Sequence, residues 1–99
     1  MMVNGSDVVF TALASSERRQ MIAFLAQTAL CTSELAARFA MSAPAVSRHL
    51  SVLAQAGLVE GERQGQKVLY RLNREALLEV LAQFASEVDG PLRRPREAL

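Results

Sequence analysis

Tryptophan is absent from this 99-residue chain, aromatic residues make up 5% of it, and cysteine and histidine occur once each. A lone cysteine excludes an intrachain disulfide and fits a reducing compartment. The lone histidine, His49, has no Ser, Cys or acidic residue at a spacing that would set it beside a nucleophile, so enzymatic activity is not expected. No apolar run approaches the roughly 20 residues that cross a bilayer, and the N-terminus lacks the basic flank and apolar stretch of a signal peptide. The expectation is a soluble, cytoplasmic protein without a membrane partner. Charge of one sign is lacking too: the formal net charge is +1, which decides nothing until its distribution is known.

What is present is aliphatic. Hydrophobic residues make up 51% of the chain, so the core must come from Leu, Val and Ala with a few Phe and Met, a mixture that favours helices. Ninety-nine residues make one small domain whose own buried surface supports it only marginally, so a partner subunit would help.

Read in order, "SDVVFTALA" places Val9, Phe10 and Leu13 at helical spacing, with Ser6 as N-cap and Asp7 at the positive end of the dipole. "SSERRQMIAFLAQT" restarts at Ser15 or Ser16, with Met21, Ile22 and Leu25 as a stripe opposite Arg18, Arg19 and Gln27. "CTSELAARFA" offers Leu35, Ala36 and Phe39 for a brief third helix. The fourth is expected from about Ala43 to Ala56, capped by Ser42, with Pro44 in the first turn, where its missing N–H costs nothing, and Gly57 ending it. On that helix Val46, Leu50 and Leu53 cluster in one arc, while Pro44, Ser47, Arg48, Ser51 and Gln55 fall in the opposite one.

"LVEGERQGQKVLYRL" then alternates. Val59, Val68, Tyr70 and Leu72 share a face if Gln64 and Gly65 form a two-residue turn, a register that sets Glu62 opposite Lys67 and Glu60 opposite Leu69; Gln-Gly is a weaker turn signal than Asn-Gly, and a loop one or two residues longer is the alternative. Arg63, Gln64, Gln66 and Lys67 would then stand at the tip. "NREALLEVLAQFASEV" begins with Asn73 as cap and carries Leu77, Leu78, Val80, Leu81, Phe84, Ala85 and Val88. One core-facing stripe needs fewer apolar positions, so the last helix is expected to serve two burial surfaces, one of them on a second copy. From Gly90, "GPLRRPREAL" has no period; residues 1–89 read as the domain and 90–99 as a flexible basic tail, whose Arg93, Arg94 and Arg96 are either solvated or in reach of DNA.

Four helices, a hairpin and a fifth helix amount to a mostly α winged helix-turn-helix. A helix that packs one side on a core can put the other into a major groove about 12 Å wide if its outer side chains are small or hydrogen-bonding. Charge distribution agrees: Arg38, Arg48, Arg63, Lys67, Arg71 and Arg74 meet only Glu60 and Glu62 in residues 38–74, whereas residues 75–89 hold Glu75, Glu79, Glu87 and Asp89 and no base. The expected DNA-binding residues are Ser42, Ala43, Pro44, Ser47, Arg48, His49 and Ser51 on the helix and Arg63, Gln64, Gln66 and Lys67 on the wing. Two alternatives stay open for some of them. His49 is either a phosphate or base contact or a partly packed flank residue, and Arg63 and Lys67 either meet phosphate or merely solubilise the wing.

"LASSERRQMIAFL", "SELAARFAMSAPAVSRHLSVLAQAGLV" and "RQGQKVLYRL" together resemble the second helix, helix-turn-helix and wing of the ArsR/SmtB family of bacterial transcriptional repressors, across nearly residues 6–88. The resemblance implies a homodimer joined through the first and last helices, here Val9, Phe10, Leu13, Leu77, Leu81, Phe84 and Val88, and double-stranded DNA carrying an inverted repeat as partner. The family's best known metal site has two cysteines in "LCVCDL"; here "LCTSEL" keeps Cys31 and puts Ser33 at the second position. One thiolate cannot supply the three or four ligands of a tight soft-metal site, so no metal or other cofactor is expected. Cys31 is either a small residue at a cap position ahead of Glu34 or a thiol made reactive by the helix N-terminus, a possible sensor. The competing class is a winged helix that binds another protein.

Overall fold

The computed structural model describes residues 5–90, in the order α1 (Gly5–Leu13), α2 (Ser16–Leu25), β1 (Leu30–Cys31), α3 (Thr32–Arg38), α4 (Ala43–Gln55), β2 (Val59–Gln64), β3 (Lys67–Leu72) and α5 (Arg74–Asp89). The expected basic tail, with Arg93, Arg94 and Arg96, lies outside the described residues.

Most helix boundaries follow from local chemistry. Ser15 Oγ accepts from the Arg18 N–H at 3.3 Å, Ser42 Oγ from the Ala45 N–H at 3.3 Å and Asn73 Oδ1 from the Ala76 N–H at 3.3 Å, each satisfying one orphan donor at a helix start. Gly57 takes φ 77° just past α4, a conformation that costs glycine little. At α1 the expectation fails: Ser6 lies inside the helix, which already includes Gly5.

The core gathers Val9 and Ala12 from α1, Met21, Ile22 and Leu25 from α2, Leu35 from α3, and Val46, Leu50 and Leu53 from α4, closed by Leu30, Leu58 and Val59. Fully burying each Leu or Val side chain contributes roughly 1.5–3 kcal/mol, so the α4 triad alone anchors that helix firmly. Val9 is thereby committed to the subunit's own core, where the family resemblance implied an interface with a second copy. Its angular position next to Phe10 and Leu13 did not distinguish the two.

The sheet has three strands in the order β1-β3-β2, one more than the expected hairpin, all antiparallel. Leu30 pairs with Tyr70 and Cys31 with Leu69, so a two-residue strand pins the wing's root to the start of α3. The hairpin register also differs from expectation. Gln64 pairs with Lys67, which makes Gly65 and Gln66 the turn, and Glu62 faces Leu69 while Glu60 faces Arg71. The reason is backbone geometry: Gly65 has φ 66° and Gln66 does not have a positive φ, the pattern of a turn that puts glycine at its first central position. Val68, Tyr70 and Leu72 still share a face with Val59, with Tyr70 and Leu72 packed on the core.

Candidate nucleic-acid interface

The outward side of α4 is open. Val46, Leu50 and Leu53 have 0% exposure, whereas Ser42, Ala43, Pro44, Ser47, Arg48 and Ser51 are all exposed. That division follows from the 3.6-residue period, and it leaves a face of small and hydroxyl side chains around one guanidinium. Pro44 in the first turn leaves no donor unmet, and the Ser42 cap holds the N-terminus where the helix dipole is positive.

The wing supplies the second element. Arg63, Gln64, Gln66 and Lys67 are exposed around the turn. Gln66 and Lys67 lie with Ala43 and Ser47 along an open groove of about 420 Å³ between the wing and the first turns of α4. Thus Ala43 and Ser47 of the helix and Gln66 and Lys67 of the wing share that groove, while Ser42, Pro44, Arg48, His49, Ser51, Arg63 and Gln64 do not line it. Gln64 Nε2 donates to Glu62 Oε1 at 3.1 Å, which occupies part of its hydrogen-bonding capacity within the strand.

His49 is half-buried at the flank of α4, and its Nδ1 lies 3.3 Å from Arg18 Nη1. The sequence sets Arg18 opposite the apolar stripe of α2; no helical period shows that the carbonyls of α1 and a ring on α4 converge on it. Cys31 ends β1, buried, with its Sγ 3.2 Å from Ser33 Oγ. Its backbone N–H donates to Glu34 Oε1 at 2.8 Å, and that hydrogen bond is the main cause holding the Glu34 carboxyl below its ordinary range. A metal does not fit here: one thiol beside one hydroxyl offers a single soft donor, and among the described residues no group of three or more His, Cys, Asp or Glu comes together.

On the side of the molecule formed by α1 and α5, an apolar stripe runs along α5 beside Asp7, Gln83 and Glu87. None of the α5 residues is fully buried, and Leu78, Leu81, Phe84 and Val88 are exposed, Val88 at 72%. Phe10 meets Phe84 edge to face with ring centroids 5.4 Å apart, fixing α1 against α5. Leu13 is half-buried, and Leu77 turns partly onto the core, while Leu78, which the sequence placed only in the general apolar set, joins the exposed stripe.

Small serine-rich helix face, basic wing and apolar α1–α5 surface define a winged helix-turn-helix regulator. The family described as bacterial regulatory protein, arsR family, matches residues 15–61. Arsenic resistance transcriptional regulator ArsR1 of Pseudomonas putida is 39% identical over 84% of this chain and 66% of its own length. ArsR2 of the same organism is 40% identical over 86% of this chain and 82% of its own. Among solved structures, an ArsR family transcriptional regulator superposes with TM-score 0.79 at 27% identity, covering 87% of this chain and 94% of that one. A homodimeric winged helix-turn-helix DNA-binding domain from Mycobacterium bovis does so with TM-score 0.71 at 29% identity, covering 86% and 79%. The chain belongs to the arsR family of bacterial regulators, which are not enzymes. It spans about two thirds of the length of relatives such as ArsR1. Among the described residues, no helix is long and apolar enough to cross a membrane.

Proposed function

We propose that the protein is a dimeric, sequence-specific DNA-binding repressor that acts in the cytoplasm on an inverted-repeat operator. The observation that carries this reading is the division of α4, with Val46, Leu50 and Leu53 sealed and Ser47, Arg48 and Ser51 open. Small side chains let the helix axis approach the groove floor, and Arg48 is the residue with the reach and the paired donors for a guanine edge or a phosphate. Gln66 and Lys67 on the wing lie beside the same helix start, where they supply backbone contacts. The exposed stripe on α5 supports a second copy, since an apolar surface of that continuity costs solubility when left bare. The Mycobacterium bovis domain, described as homodimeric and DNA-binding, supports the same arrangement here. Two copies would set their α4 helices in successive major grooves, with half-sites about 34 Å apart.

Titration into the duplex upstream of its own gene, over a series of salt concentrations, tests the proposal. Log K is expected to fall linearly with log salt, by about 0.9 for each phosphate neutralised. Salt-independent binding, or no preference for any duplex over arbitrary sequence, would overturn it.

A further inference from the structure

Three of the five guanidinium donors of Arg18 are engaged within the subunit. Its Nε donates to Ala12 O at 2.6 Å and its Nη2 to Thr11 O at 3.2 Å, carbonyls of the last turn of α1, the second of which also accepts from the Ala14 N–H at 3.2 Å. Its Nη1 lies 3.3 Å from His49 Nδ1. A guanidinium can only donate, so Nδ1 must accept, and the ring's proton is left on Nε2. The planar fork fixes the relative directions of these three bonds, and cationic charge at the C-terminal end of α1 is favoured by the helix dipole. The α1 carbonyls cannot shift without unwinding that helix, so the guanidinium is held in place and the His49 ring with it. His49 directly follows Ser47 and Arg48 on α4, at the edge of the open face.

We propose that Arg18 is a positioning residue for DNA recognition: it fixes the flank of α4 and the Nε2–H form of His49, whose remaining donor then meets a phosphate or base acceptor of the duplex. This rests on the DNA-binding reading above and adds to it a residue that does not itself touch DNA. Arg18 looks like one more cation of a basic protein, yet its effect on binding passes through His49.

A double-mutant cycle decides this, with Arg18→Lys, His49→Ala and the pair, on a duplex selected from a randomised pool by the wild-type protein. Lysine keeps the charge near α1 but cannot reproduce the three-pronged contact. Arg18→Lys is expected to weaken binding on the order of tenfold in the wild-type background and hardly at all when His49 is alanine. Equal losses in both backgrounds would make Arg18 a cap for α1 alone and overturn the proposal. Nitrogen-15 spectra of the free dimer's imidazole, at a pH where the ring is neutral, give a second readout independent of folding differences. Protonated Nε2 with bare Nδ1 is expected in the wild type, and a protonated Nδ1 overturns the proposal. If the pool yields no duplex that the wild-type protein prefers, the DNA-binding reading itself fails, an outcome distinct from additive losses on a duplex that does bind.

Discussion

Glu62 Oε1 lies 3.8 Å from Arg71 Nη2, diagonally across the wing from β2 to β3. Both side chains are at least half exposed, so the pair adds little to stability, on the order of 0–1 kcal/mol. Its importance is to the field of the wing, because a carboxylate there opposes phosphate while partly neutralising Arg71. Glu62→Gln is therefore expected to tighten binding to operator and arbitrary duplex alike, most at low salt, with the melting temperature nearly unchanged. Electrophoretic or anisotropy titrations at two salt concentrations check this. Affinity that rises only for the operator would mean that Glu62 acts on sequence readout instead.

Gly61 faces Tyr70 across the same hairpin, and a Cβ built on it would lie 2.9 Å from Val68 Cγ1 and 3.1 Å from Tyr70 Cε1. Val68 is β-branched and stiff, and the Tyr70 ring packs on the core, so neither yields easily. Gly61→Ala should cost about 1–3 kcal/mol in denaturant unfolding, the range for forcing extra volume into a packed site. A variant as stable as the parent would show that the wing shifts freely.

These two features also show where the sequence was legible and where it was not. The limits of α4 could be read directly, since Ser42, Pro44 and Gly57 each act through their own backbone neighbourhood. So could the buried side of α4, because one period governs it. The wing's register could not, because it turns on which side of Gly65 the turn falls, and Gln-Gly and Gly-Gln both suit a two-residue turn on sequence grounds. Strand β1 was invisible: Leu30 and Cys31 carry no alternation, and their pairing exists only because β3 arrives from about 40 residues later. The partners of Arg18 and the burial of Val9 were missed for a common reason. A helical wheel shows the side of one helix on which a residue stands, not which other segment covers it.

Arg48 stands exposed in the middle of the open face of α4. If its guanidinium makes a paired contact with a base, Arg48→Ala should lose about 1–3 kcal/mol of operator binding and relax selectivity at one position of each half-site. Loss of equal size on operator and arbitrary duplex would assign the side chain to phosphate.

Glu34 couples fold stability to acid. Its carboxyl is held below its ordinary 4.5 chiefly by the Cys31 backbone N–H and then by the Cys31 side chain. Glu17 is shifted in the same direction, by its own backbone N–H and then by Ser15 and Ser16. A depressed carboxyl pKa means that the unfolded chain binds the proton more readily. The resulting stabilisation is complete above the unfolded value near 4.5 and is lost as pH falls through the lower folded value. Glu34→Gln keeps an acceptor for the Cys31 N–H but removes the charge. Its melting temperature should lie below that of the parent at neutral pH, and the gap should close under more acidic conditions; a gap constant with pH would place the effect in packing.

Leu81 lies at the centre of the exposed α5 stripe, between Leu78 and Phe84, beside the edge-to-face contact of Phe84 with Phe10. If a second copy covers this stripe, Leu81→Glu buries a carboxylate without a partner, which is far costlier than losing one apolar contact. Sedimentation should then show monomers in place of dimers. Binding to an inverted repeat should weaken steeply because the two recognition helices are no longer linked, while binding to a single half-site changes little. The subunit itself should remain folded, because Leu81 does not contribute to its buried core. Dimers that persist in the variant would move the interface away from α5 and leave the stripe to another partner.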